Sequence, residues 1–297
     1  MYDIIIIGGG CAGLSAAMYS SRYEMKVLVL TKLPGGLITS THLVENYPGV
    51  SSWTGMEMGQ KFVEHAKKFG AEIKIATTTN IQKENDKTFT IKTSSDSFQG
   101  KTVVIATGSE HRHLEIPGEK EYANKGVSYC AVCDAAFYKE KVVAIIGGSD
   151  SAAKEALLMT EFAKKVYMIY RGKEIRPEPI NKKRVMENKK IEIINNSNLK
   201  EICGNENKVT HVITKDNQKI ELNGIFVAIG HLPQSELAEK LGVQLSNKKE
   251  IIIDHESKTN IEGVYAAGDV THIPFKQAII SAAQGAYAAT SAYEYLK

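Results

Sequence analysis

Short runs of consecutive apolar residues, each closed by glycine, dominate the hydrophobic pattern of this chain. Residues 3–8, Asp-Ile-Ile-Ile-Ile-Gly, open it, and Val-Val-Ala-Ile-Ile-Gly at 142–147 repeats the pattern 139 positions later. A short, wholly apolar run bounded by a turn signal reads as a strand buried on both faces, the kind found in parallel sheets. Each run leads through a glycine turn into a segment rich in Ala, Leu, Met and Ser, which predicts a helix. A second apolar strand follows, at 26–30 in one case and 165–170 in the other. Two β-α-β units predict an α/β protein with two Rossmann-like, three-layer nucleotide-binding domains. Further apolar strands at 101–108 and 224–231 also end in glycine, as suits points where the chain crosses between domains. A strand at 263–270 delivers Asp269 just beyond Gly268; by itself Asp269 reads as a cap or turn residue.

The two glycine turns differ in detail. Gly8, Gly10 and Gly13, with Cys11 and Ala12 between them, complete G-x-G-x-x-G in the required strand–turn–helix setting. Gly8 permits the tight turn, Gly10 lets the backbone approach a pyrophosphate, and Gly13 allows close helix–strand packing. The second turn, Gly147-Gly148-Ser149-Asp150-Ser151-Ala152, has serine at the middle position. A Cβ there is expected to hold the pyrophosphate off or to shift the loop. Thr31 and Tyr170 stand at the ribose positions, and neither is the acid that would bind a free 2′-hydroxyl. Arg171 and Arg176 follow Tyr170, which suits a 2′-phosphate and hence NADPH rather than NADH; a solvated basic loop is the plainer alternative.

Composition narrows the field. The 297 residues are 43% apolar and 24% charged, with 37 basic and 34 acidic side chains. That is ordinary for a folded protein of about two domains. The formal charge of +3 gives no one-sided field, so nucleic-acid binding is not expected. No apolar run reaches the roughly 18 residues of a membrane span. The opening residues lack a basic stretch and do not read as a secretory signal, so a cytoplasmic location is expected. Only five of the positive charges are arginine, and three of those, Arg171, Arg176 and Arg184, fall within 14 residues.

Of the four cysteines, Cys11 lies in the glycine turn, Cys203 is isolated, and Cys130 and Cys133 form a C-x-x-C followed by Asp134. Too few for a disulfide scaffold, such a pair is catalytic, metal-binding or simply buried. Zinc would need two further ligands, for which His111 and His113 are nearest. Asp134 fits proton transfer better than metal closure, so a redox pair without metal is the leading expectation.

Taken together these residues resemble the low-molecular-weight thioredoxin reductases of bacteria and archaea, in order and over essentially the whole length. The resemblance rests on Gly8–Gly13, Gly35-Gly36, Glu45-Asn46-Tyr47-Pro48-Gly49, Ala106-Thr107-Gly108, Cys130–Asp134, Gly147–Ala152, Gly230-His231-Leu232-Pro233, Gly268-Asp269 and Gln277-Ala278. It implies an FAD domain at 1–113 and 229–297 interrupted by an NADPH domain at 114–228 that carries the cysteines. FAD would be bound by Gly8, Gly10, Cys11, Ala12, Gly13, Thr31, Gly36, Asn46, Ala106, Thr107, Gly108, Gly268, Asp269, Gln277 and Ala278. NADPH would be bound by Gly147–Ser151, Arg171 and Arg176. Electrons would pass from NADPH through FAD to a Cys130–Cys133 disulfide and on to oxidised thioredoxin. Cys133 would lie nearer the flavin, Cys130 would exchange with the partner, and Asp134 would supply a proton. A homodimer and a rotation of one domain against the other are implied as well. Departures from the family are Ser149, Gly172 where a second arginine is usual, Leu37 after Gly35-Gly36, and Ala135-Ala136 after Asp134. The first two leave NADH or reduced ferredoxin as alternative donors; an FAD-dependent dithiol oxidase is the remaining alternative.

Overall fold

The computed structural model describes residues 1–84 and 87–297. Its first elements are β1 (Tyr2–Ile7), α1 (Cys11–Arg22), β2 (Val27–Thr31), α2 (Gly55–Lys68) and β3 (Glu72–Ile75). Next come β4 (Thr78–Lys83), β5 (Phe89–Thr93), β6 (Ser97–Ile105), β7 (Ser109–His111), β8 (Val127–Ser128) and the single turn α3 (Ala131–Asp134). The second glycine turn lies between β9 (Val142–Ile146) and α4 (Asp150–Phe162), followed by β10 (Lys165–Ile169), α5 (Pro179–Glu187) and β11 (Ile191–Ile194). A meander, β12 (Leu199–Gly204), β13 (Val209–Thr214) and β14 (Lys219–Glu221), leads to β15 (Gly224–Val227) and β16 (His231–Pro233). The chain closes with α6 (Glu236–Leu241), β17 (Val264–Ala266) and α7 (Ala278–Leu296).

Two compact units result, Met1–Glu110 with Pro233–Lys297, and His111–Leu232. The second is inserted into the first, with boundaries a few residues from 113/114 and 228/229. Both chain crossings fall in short strands, β7 and β16, that pair with each other.

In the first unit β1 pairs in parallel with β2 and β6, β3 lies outside β2, and β17 adds to β6. Ile4 and Ile6 of β1 pack with Leu14, Ala16, Ala288 and Ala292 of α1 and α7, while Ile5 and Ile7 pack with Ile81, Phe89, Ile91 and Val264 on the other face. A strand covered on both faces needs no polar positions, which explains the continuous isoleucine run.

The second unit repeats the plan with an all-parallel sheet ordered β11-β10-β9-β15-β8. Val143 and Ile145 pack under Ala152, Ala156 and Met159 of α4 together with Ala131 and Ala135; Ala144 and Ile146 face the β12–β14 meander through Ile202, Val212 and Ile220. The small alanines let α4 and the cysteine-bearing turn lie close to the same sheet.

Candidate active site

The parallel ladders run directly into the two glycine turns. Gly8 N donates to Leu30 O at 2.8 Å and Gly147 N donates to Ile169 O at 3.0 Å. Gly8 has φ +116°, and a Cβ there would stand 2.0 Å from Ala106 O, so only glycine fits. Ala106 N in turn donates to Ile7 O at 2.8 Å, and Thr107 Oγ1 donates to Gln234 O at 2.6 Å beside Gly108. At Gly10 the space is open: a Cβ would meet nothing nearer than Gly36 Cα at 3.8 Å. The first N–H groups of α1, from Cys11 through Gly13, lack intrahelical partners and carry the positive end of the helix dipole. Pyrophosphate suits such a place.

Asp269 arrives at this turn from the far end of the chain. A Cβ on Gly268 would stand 2.9 Å from the Ala12 side chain. Burial raises the Asp269 pKa above the ordinary carboxylate value, and Lys276 and Ser281 only partly oppose it. Ser281 Oγ donates to Asp269 Oδ1 at 3.3 Å, a long bond for a half-buried carboxylate. Cys11 is buried beside it, and its thiol is pushed up to about 12 by that burial and by the Asp269 charge. Such a thiol is inert as a nucleophile. Asn46 Nδ2 donates to Gln277 Oε1 at 3.1 Å, just ahead of Ala278 at the start of α7. The loop from Glu45 to Ser51 lines an open cleft of about 500 Å³.

At the second turn the structure separates the two alternatives expected for Ser149, a pyrophosphate held off or a shifted loop. Ser149 has φ −86° and ψ −179°, against −86° and −170° for Gly10. The loop is therefore not shifted, because this position never required a glycine conformation; the serine costs space alone. Ser149 and Ser151 are exposed at the start of α4. Asp150 turns the other way, accepting from Glu178 N at 3.0 Å and Asn181 Nδ2 at 2.8 Å and pairing with Lys154 at 2.9 Å. Burial opposes ionisation of Asp150, but these donors hold its pKa below the usual range. Its carboxylate thus ties α4 to α5. Arg176 N donates to Gly148 O at 2.6 Å, which anchors the arginine segment to the turn, and both Arg171 and Arg176 are exposed.

Cys130 and Cys133 form a disulfide with Cα atoms 5.3 Å apart. Cys130 precedes α3, and its Sγ accepts the Cys133 N–H at 3.2 Å; Cys133 is exposed and Cys130 half-buried. Upstream, Ser128 Oγ accepts from Cys130 N at 3.1 Å. Tyr129 OH donates to buried Glu119 at 2.7 Å, and Glu119 also accepts from Leu114 N and Glu115 N at 2.7 and 2.6 Å. Downstream, the Tyr138 ring packs on Phe226 and fills the space that a Gly224 Cβ would take, 2.1 Å away. Burial and the neighbouring Asp134 charge raise the Tyr138 pKa. His113 Nδ1 lies 2.7 Å from Tyr129 OH, and among the described residues no three His, Cys, Asp or Glu side chains converge to hold a metal.

Residues 2–290, which span both turns and the cysteine pair, match the pyridine nucleotide-disulphide oxidoreductase family. The chain belongs to that family. It is 37% identical over 303 residues to the thioredoxin reductase of Bacillus subtilis, covering 100% of this chain and 95% of the relative. The crystal structure of Lactococcus lactis thioredoxin reductase superposes with a TM-score of 0.96 at 39% identity, covering 100% and 99% of the two chains. That of T. acidophilum thioredoxin reductase gives 0.94 at 37% identity, covering 99% and 98%.

The residues present fit a flavin dinucleotide. Gly10 leaves room at the helix end, and among the described residues the half-buried Asp269 carboxylate accepts one long side-chain hydrogen bond, which leaves it lone pairs for a ligand hydroxyl. One contributor had no sequence signal beyond being an amide in an alanine-rich helix. Gln284, buried in α7, accepts Gly268 N at 2.8 Å and Thr271 Oγ1 at 3.3 Å, and so sets the strand end from which Asp269 projects.

Proposed function

We propose that this chain is an FAD-bearing reductase that passes electrons from NADPH through the Cys130–Cys133 disulfide to oxidised thioredoxin. The observation that carries this reading is the C-x-x-C disulfide, seated beside a second dinucleotide-type turn in a chain whose full-length relatives are thioredoxin reductases. It acts in the cytoplasm as a homodimer, as the resemblance implies.

Gly8, Gly10, Gly13 and the start of α1 would hold the FAD pyrophosphate, Asp269 the ribityl hydroxyls, and Asn46 and Gln277 the ring edge. A bound flavin supplies two-electron exchange between a nicotinamide hydride and a disulfide. On this chain, two electrons and two protons convert Cys130–Cys133 to a dithiol. Cys130, as thiolate, attacks one sulfur of the partner disulfide and the partner's other sulfur leaves. Cys133 then attacks Cys130, which restores the pair and frees the partner as a dithiol. Asp134, next in sequence to Cys133, supplies the proton taken up by the departing thiolate.

Arg171 and Arg176 support NADPH as donor; Gly172 and Ser149 support the second reading, in which NADH or reduced ferredoxin serves. Anaerobic titration of the purified yellow protein with each donor separates them, NADPH being expected to bleach the flavin band at stoichiometric addition. Protein purified without flavin, or a flavin that NADPH leaves oxidised, overturns the respective part of the proposal.

A further inference from the structure

One buried acid of the inserted unit has no part in the reaction described above. Glu155 lies in the second turn of α4, four residues beyond Ser151. Its Oε2 is buried and meets no hydrogen-bond partner among the described residues. Burial penalises the charged form of such a carboxyl, and here burial alone raises the pKa, to about 8.

The helical period fixes which way this acid faces. Asp150 and Thr160 lie on the flank of α4 turned to α5, where Asn181 Nδ2 donates to Asp150 at 2.8 Å and Asn188 Nδ2 to Thr160 Oγ1 at 3.1 Å. Ala152, Ala156 and Met159 face the sheet. At about 100° per residue, Glu155 falls on the remaining flank with Leu158 and Phe162. The α3 segment covers that flank. Ala131 and Ala135 pack with Ala152 and Ala156, and Glu140 N donates to Phe162 O at 3.0 Å. Glu155 therefore stands beneath the turn that carries Cys130, Cys133 and Asp134.

Besides the cysteines, the titratable groups of the α3 side are Asp134, Tyr138, Lys139, Glu140 and Lys141, the last three exposed. Lys154, beside Glu155 on α4, is paired with Asp150 at 2.9 Å. The strands beneath contribute Val143, Ile145 and Phe226, which do not titrate. An apolar residue would pack here without the cost of desolvating a carboxyl, so the acid points to a chemical use.

Opening of the disulfide supplies that use. Two electrons and two protons convert the pair to two thiols, and one proton leaves again as Cys130 becomes the attacking thiolate. A charged Glu155 would oppose that ionisation, whereas a neutral one does not. We propose that Glu155 is a positioning residue of the disulfide step: it keeps a proton beneath the closed pair and binds that proton more tightly once Cys130 is a thiolate. At neutral pH this proton is neither consumed nor released. The proposal rests on the reading of Cys130–Cys133 as the redox pair.

Packed elements have axes about 8–10 Å apart, and charges at that separation in a partly buried site shift one another by about one pKa unit. Opening is then linked to proton binding at Glu155. Below its titration the acid is neutral in both states and has no effect; above it, a carboxylate under the turn disfavours opening.

The test is the opening constant of the pair in the flavin-loaded enzyme, measured anaerobically against a dithiothreitol redox buffer from pH 6 to 10. Alkylation and mass spectrometry count the open cysteines. Wild type and Glu155→Gln are expected to keep a constant ratio of opening constants up to about pH 7. By about pH 10 the wild type is expected to open about three- to thirtyfold less readily relative to the variant. Glu155→Leu, which also cannot ionise, is expected to give the same pH dependence. A purely structural role would give ratios independent of pH, and that result overturns the proposal. Should both variants fail to fold, infrared spectroscopy of the wild type near about pH 8.5 decides: a protonated-carboxyl band that strengthens on opening supports the proposal, and an unchanged band overturns it. A pair that dithiothreitol never opens overturns the redox reading as well, so the two failures are told apart.

Discussion

Asn46 and Gln277 are 231 residues apart in the chain and share a hydrogen bond of 3.1 Å from Asn46 Nδ2 to Gln277 Oε1. One lies in the loop after β2 and the other caps α7, so the bond closes the first unit around the end of its parallel sheet. Gln277→Ala removes the acceptor at a solvent-accessible place. Stability is expected to change little, while the flavin dissociation constant rises about two- to tenfold, the worth of one hydrogen bond. Apoprotein titration with FAD, followed by flavin fluorescence, measures it.

Gln284 is a harsher site. Replacing it with alanine strands the Gly268 N–H in a buried setting, whereas the Thr271 hydroxyl keeps its 2.8 Å bond to Gly268 O. The orphaned donor costs about 1–3 kcal/mol. Urea unfolding of Gln284→Ala is expected to show a lower midpoint with an unchanged slope, and flavin content is expected to fall with it because Asp269 is displaced.

Histidines at the chain crossings make stability depend on pH. The His111 and His231 rings lie 4.8 Å apart, and desolvation lowers both pKa values from 6.5, in His231 despite its exposed position, with His231 and His113 adding to the effect on His111. The unfolded chain therefore binds protons more readily than the folded one as pH drops below about 6.5. This contribution is fully present above that value and is lost as pH falls toward the depressed folded values. Melting temperatures between pH 7.5 and 5 are expected to decline, and His111→Gln with His231→Gln is expected to flatten the decline. A double variant with the wild-type slope contradicts the assignment. Asp150, whose folded pKa is depressed, acts in a lower window, its stabilisation being lost only as pH falls below the ordinary carboxylate range.

Exposure alone would nominate Cys133 as the exchanging sulfur, yet family resemblance assigns that role to Cys130. Trapping decides the matter. Cys133→Ser, reduced and mixed with a thioredoxin whose second cysteine is also serine and whose first is activated as a mixed disulfide, is expected to form a stable covalent complex. Cys130→Ser is expected to form at most about a tenth as much. Non-reducing electrophoresis reads both, and the reverse yields would exchange the roles.

The sequence was most legible where a feature depends on neighbours within a dozen residues. The strands at 3–7 and 142–146, both glycine turns and the helices after them could be read directly, because the isoleucine runs, the turn and the helix start are local. The insertion of the second unit into the first was expected from the family resemblance alone, since two β-α-β units by themselves fit two domains in tandem. Effects that depend on contacts across the chain were hidden. Ser149 left both a held-off pyrophosphate and a shifted loop open, because the glycine spacing does not reveal that Gly10 itself has a negative φ. Glu119 gave no sign that it would be buried and hold Leu114, Glu115 and Tyr129 together, since an acid between Gly118 and Lys120 reads as surface.

In the proposed pathway every electron reaches the partner through one disulfide, Cys130–Cys133. The direct measurement is anaerobic single turnover: one equivalent of NADPH is added to the flavin-loaded enzyme with excess oxidised thioredoxin, and new thioredoxin thiols are counted by alkylation and mass spectrometry. Two thiols per NADPH are expected from the wild type and none from Cys130→Ser, whose flavin still bleaches. Thiols released by Cys130→Ser at the wild-type yield would contradict the pathway proposed for this chain.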